Sequence, residues 1–555
     1  MLKNKIICIA LLTAGQCVLA ADPPSAGGQL QQIPLPPVPQ RDVPEIRVAP
    51  VNAPADTASD SVKVMVRSLR VTGQTLYSEA ELVSVTGFVP GTELSLGDLR
   101  GMARRIADYL HRNGYVVAQA YLPAQEIRDD TVTIQVIEGR YGAIRLRNES
   151  GLNNALPDGL LGGLNAGDPI LIAPLESRLL LLSDIPGVSV QSTLVPGASV
   201  GASDLLIDVR PGRRVTGSVE ADNAGNRYTG ANRVGATVYI NNPTGNGDVI
   251  GLRGLTSGSG LQYGRASYQL QTGKAKVGVA FASLRYELGR EFASLNANGS
   301  AQIVSLYGSY PLIRSRNTNL YALVDLDVKK FQDKVDSSGL VTDKRAQVLT
   351  ASLNGNFRDQ VGGGGLNSYW LALTAGRVDI QTPAAQALVA ATSQSDGSFG
   401  KLSFSASRLQ RVSNAVSVFG AISGQAASKN LDISEKMGLG GAYAVRAYPT
   451  GEAYADQGVL VNLEVRLLLP AVSAGMPGQV HLVGFVDAGS VTINKRPWTG
   501  GSNHRSLSGA GVGLTWADYN NFSVSAYYAQ KLGNEAAISA PDSRGRFWLQ
   551  LVKYF

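Results

Sequence analysis

From Val215 to the last residue, apolar and polar residues alternate through segments of strand length, and turns rich in Gly, Asn, Asp and Pro separate the segments. Residues 320–328 are typical, because every second side chain is Leu, Ala or Val while Asp325 and Asp327 occupy the opposite face. About 341 residues follow residue 214, which is enough for about 16 strands with their connections. The pattern predicts a transmembrane antiparallel β-barrel, apolar outside and polar inside. A soluble β-helix or β-sandwich is the alternative.

The chain ends on an aromatic segment of strand length. Its apolar face consists of Phe547, Leu549, Leu551 and Phe555. Lys553 interrupts that face near its end, where a long side chain can reach the membrane interface. A barrel has no free edges, so its last strand has to pair with its first. We therefore expect the strand that ends at Phe555 to close the barrel by pairing with the strand that opens near residue 215.

Between residues 62 and 211 the pattern is mixed. In residues 62–140 a strand, two helices and two further strands follow one another, and the second helix begins with a capping box at Ser95. The apolar positions of that helix are Leu99, Met102, Ile106 and Leu110. The same β-α-α-β-β order recurs in residues 141–211, which predicts two tandem α+β units. A single α+β domain is the alternative.

The first 20 residues have the layout of a secretory signal, with a basic start, a short apolar run and small residues before Ala21. The apolar run is too short to span a bilayer, which argues against a membrane anchor. Cys17 raises the alternative of a lipoprotein, but Gln16 is a poor residue to precede a lipidated cysteine. We therefore predict a signal peptide over residues 1–20.

Residues 21–61 are rich in Pro, Ala and Gln. This composition predicts a linker with some polyproline II character rather than a domain. A few residues near Gly28–Gln32 have helical character, but Gly27 and Gly28 would weaken such a helix. We therefore expect at most a short helix before the first α+β unit.

Composition narrows the function classes. Cys8 and Cys17 are the only cysteines and both lie in the signal segment, so the mature chain is expected to lack disulfides and thiolate metal sites. The net charge of +7 comes without a dense Lys/Arg run, so the sequence does not support nucleic-acid binding. After the signal no apolar stretch is long enough for a transmembrane helix. Membrane insertion would therefore require a closed barrel.

Three weak enzyme signals can be weighed against their surroundings. Gly197–Gly201 fits the nucleophile-elbow pattern, but it lies between two predicted strands and indicates a hairpin loop. The three histidines, His111, His481 and His504, are scattered and lack metal-ligand spacing. Gly362–Gly365 lacks the Lys-Ser/Thr that follows a phosphate-binding loop. The sequence therefore predicts no catalytic site, no metal site and no cofactor.

The residues that best indicate a function lie late in the chain, in a long loop and the strands that follow it. A long segment that contains Arg446 precedes the predicted strand 459–467, and a strand with Phe485 and Asp487 follows it. The alternation of that strand directs Phe485 and Asp487 into the barrel lumen. An inward carboxylate beside a loop arginine suggests a loop folded into the barrel and held by an ion pair. An ordinary surface loop and an unrelated lumen carboxylate are the alternative.

Several motifs carry a family resemblance. The first group consists of Gly114 and Tyr115, then Tyr121, Leu122, Pro123 and Gln125, followed by residues 136–139. The second group lies at the start of the barrel, in residues 222–230 and 242–248, and at a strand end in residues 310–316. The third group consists of Val445, Arg446, Ala447 and Tyr448 together with Phe485, Asp487 and Gly489. With these motifs the chain resembles the TpsB transporters, of the haemolysin activator and filamentous haemagglutinin transporter type, over essentially its whole mature length.

The resemblance implies a protein of the outer membrane of a Gram-negative bacterium. It implies an N-terminal plug or linker segment at residues 21–61, POTRA domains in the periplasm at residues 62–140 and 141–211, and a barrel of about 16 strands at residues 212–555. It also implies transport of an unfolded TpsA-type exoprotein, such as an adhesin or haemolysin, which the POTRA domains bind by strand addition and in apolar grooves. The lipid bilayer with its lipopolysaccharide and the barrel assembly machinery are the other expected partners. No enzyme activity is implied.

The resemblance further implies that Arg446 and Asp487 hold the in-folded loop inside the pore. Ala447 departs from the family, which usually has Gly at this position, and a positive φ there would be strained. Three other functions remain as alternatives. They are an assembly factor of the same superfamily, a passive porin or uptake channel, and an enzyme attached to a barrel.

Overall fold

The structure is a computed structural model that describes residues 23–37, 46–48, 62–471, 473 and 475–555. The predicted signal peptide and most of the predicted linker lie outside the described residues. No helix among the described residues is both long enough and apolar enough to cross a membrane.

The first α+β unit packs two helices on a three-stranded sheet. Its elements are β2 (Lys63–Val66), β3 (Ser68–Thr72), α2 (Glu79–Thr86), β4 (Thr92–Ser95), α3 (Leu96–Arg112), β5 (Gln119–Tyr121) and β6 (Thr131–Ile137). The sheet order is β3-β6-β5, and β2 pairs with β4 in a separate ribbon. The predicted order appears as β3-α2-α3-β5-β6. The single strand expected before the helices, from Val64 to Val71, is divided into β2 and β3, and β4 was not expected. Helix α3 starts where its capping box lies, because Ser95 and Asp98 bond each other's main-chain amides.

The second α+β unit follows directly. Its elements are β7 (Arg140–Asn148), α4 (Ala155–Leu161), α5 (Ile172–Ser183), β8 (Val188–Pro196) and β9 (Ala202–Pro211). A short strand from the linker, β1 (Ile46–Val48), pairs in parallel with β8, so the sheet order is β1-β8-β9-β7. The buried core is formed largely by one face of α5 with Leu175, Leu179 and Leu182. The linker therefore completes the sheet edge of this unit.

Sixteen strands form a closed barrel in which each strand pairs with its neighbours in sequence. They are β10 (Val215–Asp222), β11 (Arg233–Asn241), β12 (Val249–Thr256), β13 (Leu261–Thr272), β14 (Ala275–Glu287), β15 (Ala297–Arg314), β16 (Thr318–Val335), β17 (Leu340–Asp359), β18 (Gly365–Ile380), β19 (Gly397–Arg411), β20 (Val416–Ala427), β21 (Gln457–Leu468), β22 (Gln479–Thr492), β23 (His504–Asp518), β24 (Phe522–Lys531) and β25 (Gly545–Tyr554). Helix α6 (Pro383–Ala391) lies in the connection between β18 and β19. This architecture confirms the fold class expected from the alternating pattern.

The barrel closes where its last strand meets its first. Strand β25 runs antiparallel to β10. Just beyond the last pair in this ladder, Phe555 and Gly217 exchange two main-chain hydrogen bonds of 3.1 Å each. The structure thus places Phe555 at the closing edge, beside the first barrel strand.

Apolar side chains cover the outside of the barrel wall. In β16, Val324, Leu326 and Val328 are between 40% and 52% exposed. Asp327 of the same strand bonds Ser305 of β15 on the other face. Strand alternation therefore separates an outer apolar face from a polar lumen, as expected for a barrel surrounded by lipid.

The second α+β unit is fixed to the end of the barrel at which β10 begins. Arg314, in the β15–β16 hairpin, makes a bidentate ion pair with Asp184 at 2.6 and 2.8 Å. Arg316 of the same hairpin pairs with Glu176 of α5 at 2.7 Å. The strand-end motif singled out in the sequence thus holds the α+β unit against the barrel.

Candidate functional site

The connection between β20 and β21, residues 428–456, folds into the barrel lumen. We call it the in-folded loop. Its interior position is evident from burial, because Leu439, Val445, Tyr448 and Asp456 are all 0% exposed. A surface loop of this length would leave most of its side chains in water. The structure therefore places this connection inside the barrel, as the sequence suggested.

Arg446 at the tip of the in-folded loop is bound on two sides by carboxylates. Its Nε and Nη2 donate to the two oxygens of Asp487 at 2.8 Å each, and its main-chain N–H donates to Asp487 at 3.1 Å. Its Nη1 donates to Glu464 of β21 at 2.8 Å. Arg446 is 5% exposed and Asp487 0%. Bidentate pairing of this kind fixes both the position and the orientation of the guanidinium.

Aromatic side chains enclose the same guanidinium. Its Cζ lies 3.5 Å from the centre of the Phe485 ring and 5.1 Å from that of Tyr527. Trp548 of β25 donates its indole N–H to the Arg446 carbonyl at 2.7 Å. The loop tip is therefore attached to β21, β22, β24 and β25, so it bridges to the strand that closes the barrel.

The sequence motif missed part of this site. Glu464 and Trp548 contact Arg446 directly, and Asn462 donates to both Asp487 and the main chain of the loop at Ala444, at 2.8 and 3.1 Å. A signal was available for Asn462 and Glu464, because the alternation of residues 459–467 assigns both to the polar face. Alternation does not reveal which inward polar residue meets a loop.

The remaining motif residues pack around the loop tip. Ala447 is 0% exposed and does not have the positive φ that would strain it. The OH of Tyr448 donates to the carbonyl of Glu535 at 3.1 Å, in the connection after β24. A Cβ placed on Gly489 would lie 2.3 Å from a methyl of Leu439, so this glycine allows the loop to approach β22. The Ala447 departure therefore leaves the backbone of the tip unstrained.

Further ion pairs fix the rest of the in-folded loop. The buried Glu452 pairs with Arg505 of β23 and accepts main-chain hydrogen bonds from Ile538 and Ser539. Near the start of the loop, Glu435 lies between Lys329 of β16 and Lys401 of β19, at 2.8 and 3.0 Å. Because both ends of the loop and its tip are paired, displacing it requires several buried ion pairs to break.

A short helix of the N-terminal segment, α1 (Ala26–Gln31), lies inside the barrel beside the in-folded loop. We call residues 26–37 the plug segment. One of the two glycines that argue against a stable helix here, Gly27, has a packing reason. A Cβ placed on Gly27 would lie 2.9 Å from Cβ of Ser434 in the loop. The lumen therefore stabilises a helix whose sequence alone favours it weakly.

The POTRA signature residues do not form one cluster. Tyr121 is 43% exposed, whereas Leu122 packs on the core of the first unit. Tyr115 packs edge-on against Tyr77 at 6.1 Å between ring centres. Gly114 ends α3, and its carbonyl accepts the Ile172 N–H of α5 at 2.9 Å. This bond joins the first α+β unit to the second.

The side chain of Gln125 makes hydrogen bonds to the main chain of β6 that a neighbouring strand would otherwise make. Its amide oxygen accepts the N–H of Thr133 at 2.8 Å, and its amide nitrogen donates to the carbonyl of Thr133 at 2.7 Å. It also contacts the carbonyl of Pro123 at 3.4 Å. These bonds occupy the edge of β6 beyond the short strand β5.

Glu138 ends the first unit and contacts the second. Burial alone would raise the pKa of its carboxyl, but hydrogen bonds from Thr75, from neighbouring main-chain amides and from Arg140 outweigh that effect. They hold the pKa of Glu138 below its ordinary value of 4.5. Its carboxylate is therefore the favoured form in the folded protein.

The weak enzyme motifs lie in structural positions. Gly197–Gly201 forms the turn between β8 and β9. His111 contacts the carbonyl of Ala118 at 2.7 Å within the first α+β unit. Within the described parts of the chain, no group of three or more His, Cys, Asp or Glu is placed to hold a metal ion. The candidate functional site is therefore the lumen with the two segments that occupy it.

Comparison with known proteins gives two family matches. The family described as "Haemolysin secretion/activation protein ShlB/FhaC/HecB" matches residues 201–516, and the ShlB-type POTRA domain matches residues 64–139. The chain is also similar to the heme/hemopexin transporter protein HuxB of Haemophilus influenzae. The two are 31% identical over 487 residues, which cover 86% of this chain and 84% of HuxB.

Two solved structures have a similar fold. CdiB from Escherichia coli superposes with a TM-score of 0.67 at 21% identity, covering 91% of this chain and 93% of CdiB. CdiB from Acinetobacter baumannii superposes with a TM-score of 0.58 at 19% identity, covering 95% and 96% of the two chains. At these identities the likeness concerns the fold.

Proposed function

The chain belongs to the family of haemolysin secretion/activation proteins ShlB/FhaC/HecB, and from this membership we propose how its parts move an exported polypeptide. It is an outer-membrane transporter of two-partner secretion, with periplasmic POTRA domains and a β-barrel. Proteins of this family work with secreted TpsA-type exoproteins. The chain carries its unfolded partner from the periplasm to the cell surface.

The observation that carries the mechanism is that two segments of the chain itself occupy the lumen. The in-folded loop is held by buried ion pairs such as Arg446–Asp487 and Arg505–Glu452, and the plug segment is held by hydrogen bonds. Neither attachment to the lumen wall is covalent. The barrel is therefore closed at rest and opens when its own segments move, which suits a transporter better than a porin.

We assign the Arg446 site the role of holding the loop. Asp487, Glu464 and Phe485 belong to strands of the barrel wall and bind Arg446 of the loop tip, so the tip returns to one position after each transport event. Removing Arg446 would leave Asp487 buried without its cation, which is strongly unfavourable. The roles of Val445, Ala447 and Tyr448 are to pack the tip against the wall.

The two α+β units serve as POTRA domains with boundaries at residues 62–140 and 141–211. They bind the exoprotein as an extended strand. In the second unit the linker strand β1 occupies the edge of β8, so strand addition there requires residues 46–48 to leave. In the first unit β5 is an edge strand, and Tyr121 on it is exposed. These features support peptide capture at sheet edges.

Other partners follow from the surface of the barrel, residues 212–555. Its outer apolar face requires a lipid bilayer, whose outer leaflet contains lipopolysaccharide. Closure by β25 at Phe555 fits insertion by the barrel assembly machinery. We propose no enzymatic role.

Because HuxB is named a heme/hemopexin transporter, an exoprotein connected with heme or hemopexin is the first candidate cargo.

The test is secretion in a host that lacks this system. The full chain is expressed with a large exported protein that has a haemagglutinin-like N-terminal secretion domain and is encoded beside it. We expect the exoprotein in the medium only when the chain is present. Equal export without the chain would contradict the proposal. Loss of other outer-membrane proteins on deleting the chain would instead favour an assembly factor, and transport by a variant without residues 62–211 would favour a passive channel.

A further inference from the structure

The plug segment runs along the barrel lumen from one end towards the other. At its start, the Ala26 N–H donates to Asp333 at 2.7 Å, and Asp333 lies two residues before the end of β16. At its end, the Pro37 carbonyl accepts from Ser218 at 3.4 Å, and Ser218 lies near the start of β10 beside the α+β units. Residues 26–37 contain no charged side chain. An uncharged stretch of polypeptide thus already lies along the path that an exported chain would take.

Four groups of the lumen bind the main chain of the plug segment, while Ala26, Leu30 and Ile33 pack in the apolar interior of the barrel. Three of these groups lie on barrel strands, and they are Asp333 on the Ala26 N–H, Arg233 on the Gln32 carbonyl at 2.9 Å and Ser218 on the Pro37 carbonyl. The fourth is Tyr454 of the in-folded loop, whose OH donates to the Gly28 carbonyl at 2.9 Å. We call these four groups the main-chain track. Every residue carries a main-chain carbonyl, and every residue except proline carries an N–H. Contacts of this kind therefore do not depend on which residue stands at a position.

Side-chain contacts to the plug segment also exist. Thr229 donates to the Gln29 side chain at 2.9 Å, and the Gln32 side chain donates to Tyr454 at 2.7 Å. The Gln31 side chain donates to the Ile433 carbonyl at 3.0 Å. These contacts depend on sequence and explain why this particular segment rests in the lumen. The main-chain contacts would remain available to another polypeptide.

The wall beside Arg233 holds further unused hydrogen-bonding atoms. Among the described residues, five buried side-chain atoms on β10–β12 make no hydrogen bond, and they are Glu220 Oε2, Asp222 Oδ2, Arg233 Nη2, Thr237 Oγ1 and Arg253 Nε. Ion pairs hold their side chains in place, because Arg233 bonds Asp222 at 2.9 Å and Arg253 bonds Glu220 at 2.7 Å. Buried polar atoms are seldom left without a partner in folded proteins. Both donors and acceptors are therefore available along this wall.

We propose that the main-chain track, with the polar wall of β10–β12, binds the exported polypeptide during transit through its peptide N–H and carbonyl groups. At rest the plug segment binds the main-chain track in the position that the exported polypeptide takes during transit. This inference rests on the proposed transport function. The ligand is an extended, unfolded polypeptide of no particular sequence. Single hydrogen bonds are weak enough for such a chain to advance from one group to the next.

Retention of the plug segment and binding of cargo have different consequences when a track residue is changed. If the track only retained the plug segment, weakening it would open the pore and leave secretion unchanged or faster. If the track also binds cargo, the same change opens the pore but slows secretion. Gly27→Val is the matched control, because it disturbs the seat of α1 without touching the four track groups.

The first experiment compares Tyr454→Phe and Arg233→Met with Gly27→Val in the full chain. Conductance is recorded in planar bilayers and exoprotein secretion is measured in cells. We expect all three variants to conduct more than the wild type, with secretion retained in Gly27→Val and reduced by about threefold to tenfold in the track variants. Equal secretion by track variants and Gly27→Val would overturn the proposal. Arg233→Met also breaks the buried ion pair with Asp222, which could prevent the barrel from assembling. If that variant does not assemble, the comparison of Tyr454→Phe with Gly27→Val tests the proposal.

The second experiment needs no cargo and stays informative if the transport function fails. Two synthetic peptides are added to the Gly27→Val pore, one with the sequence of residues 23–37 and one with the same residues in scrambled order. We expect both peptides to block conductance at concentrations within about threefold of each other, and Tyr454→Phe in this background to weaken both blocks similarly. The proposal would be overturned if only the peptide with the native sequence blocked conductance, or if Tyr454→Phe left the block by both peptides unchanged.

Discussion

A Cβ placed on Gly27 would lie 2.9 Å from Cβ of Ser434, so the plug helix and the in-folded loop touch where there is no room for a methyl group. The contact joins the two segments that close the lumen. Ser434 belongs to a 3₁₀ turn, Ile433–Glu435, in which Lys329 and Lys401 pair with Glu435. Helix α1 therefore packs against the in-folded loop as well as against the barrel wall.

Gly27→Ala is expected to displace α1 and raise the conductance of the pore. The methyl group meets both Cβ and main-chain atoms of Ser434 within 3.1 Å, and main-chain atoms cannot move cheaply. Gly28→Ala is the matched control, because its Cβ would meet only flexible side chains at 3.4 Å or more. Both changes raise helix propensity by about 1 kcal/mol, so only packing distinguishes them. Planar-bilayer recordings with equal conductance in the two variants would contradict this account.

Arg446→Ala is expected to abolish secretion while the barrel still assembles. It leaves the fully buried Asp487 without its cation, a change that typically costs about 3–5 kcal/mol. Secretion is measured in the medium, and assembly is followed by the heat-dependent mobility of the barrel on gels. Arg466→Ala is the control, since Arg466 is partly exposed and contacts Glu464 without reaching the loop. Normal secretion from Arg446→Ala would remove the role assigned to this site.

The stability of the first α+β unit is expected to fall in acid because of Glu138. Its pKa is lower in the folded protein than its ordinary value of 4.5. A carboxyl with a depressed folded pKa stabilises the fold above its unfolded pKa, and this contribution is lost as the pH falls through the folded pKa. Hydrogen exchange of β6 amides in the full chain, recorded between pH 6 and about pH 3, measures the effect.

Glu138→Gln is expected to remove most of this pH dependence and to destabilise the unit at neutral pH by about 1.5–3 kcal/mol, the range for hydrogen bonds to a charged group. Glu126→Gln is the control, because the Glu126 side chain is 80% exposed and its ion pair is with the equally exposed Arg128. If Glu138→Gln keeps the acid sensitivity of the wild type, another carboxyl is responsible.

Arg314→Ala is expected to loosen the second α+β unit from the barrel. The pair with Asp184 is bidentate, and both side chains are less than 20% exposed, so it contributes more than a surface pair. Distances between spin labels on engineered cysteines, one on each side of the contact, are expected to broaden. Arg316→Ala is the control, because Arg316 is 51% exposed in its pair with Glu176. Equal broadening in both variants would show that the strength of the two pairs does not differ.

The sequence by itself determined the barrel, because strand alternation has a period of two and is visible locally. Residues 320–328 reveal an apolar face and a polar face without any knowledge of their neighbours. The same rule placed Phe485 and Asp487 in the lumen. Helix α3 was predicted for a related reason, since its capping box and apolar spacing are contained within one segment.

Only the tertiary structure decided which distant groups meet inside the lumen. Periodicity states that Glu464 faces inward, but the contact of Glu464 and Trp548 with Arg446 depends on how the loop folds back. Gly27 weakens a helix in isolation, and only the nearby Ser434 explains why a glycine is required there. Strand β1 is likewise defined by pairing with β8. Local pattern fixes the face on which a side chain lies, whereas the partner on that face is fixed by contacts far apart in sequence.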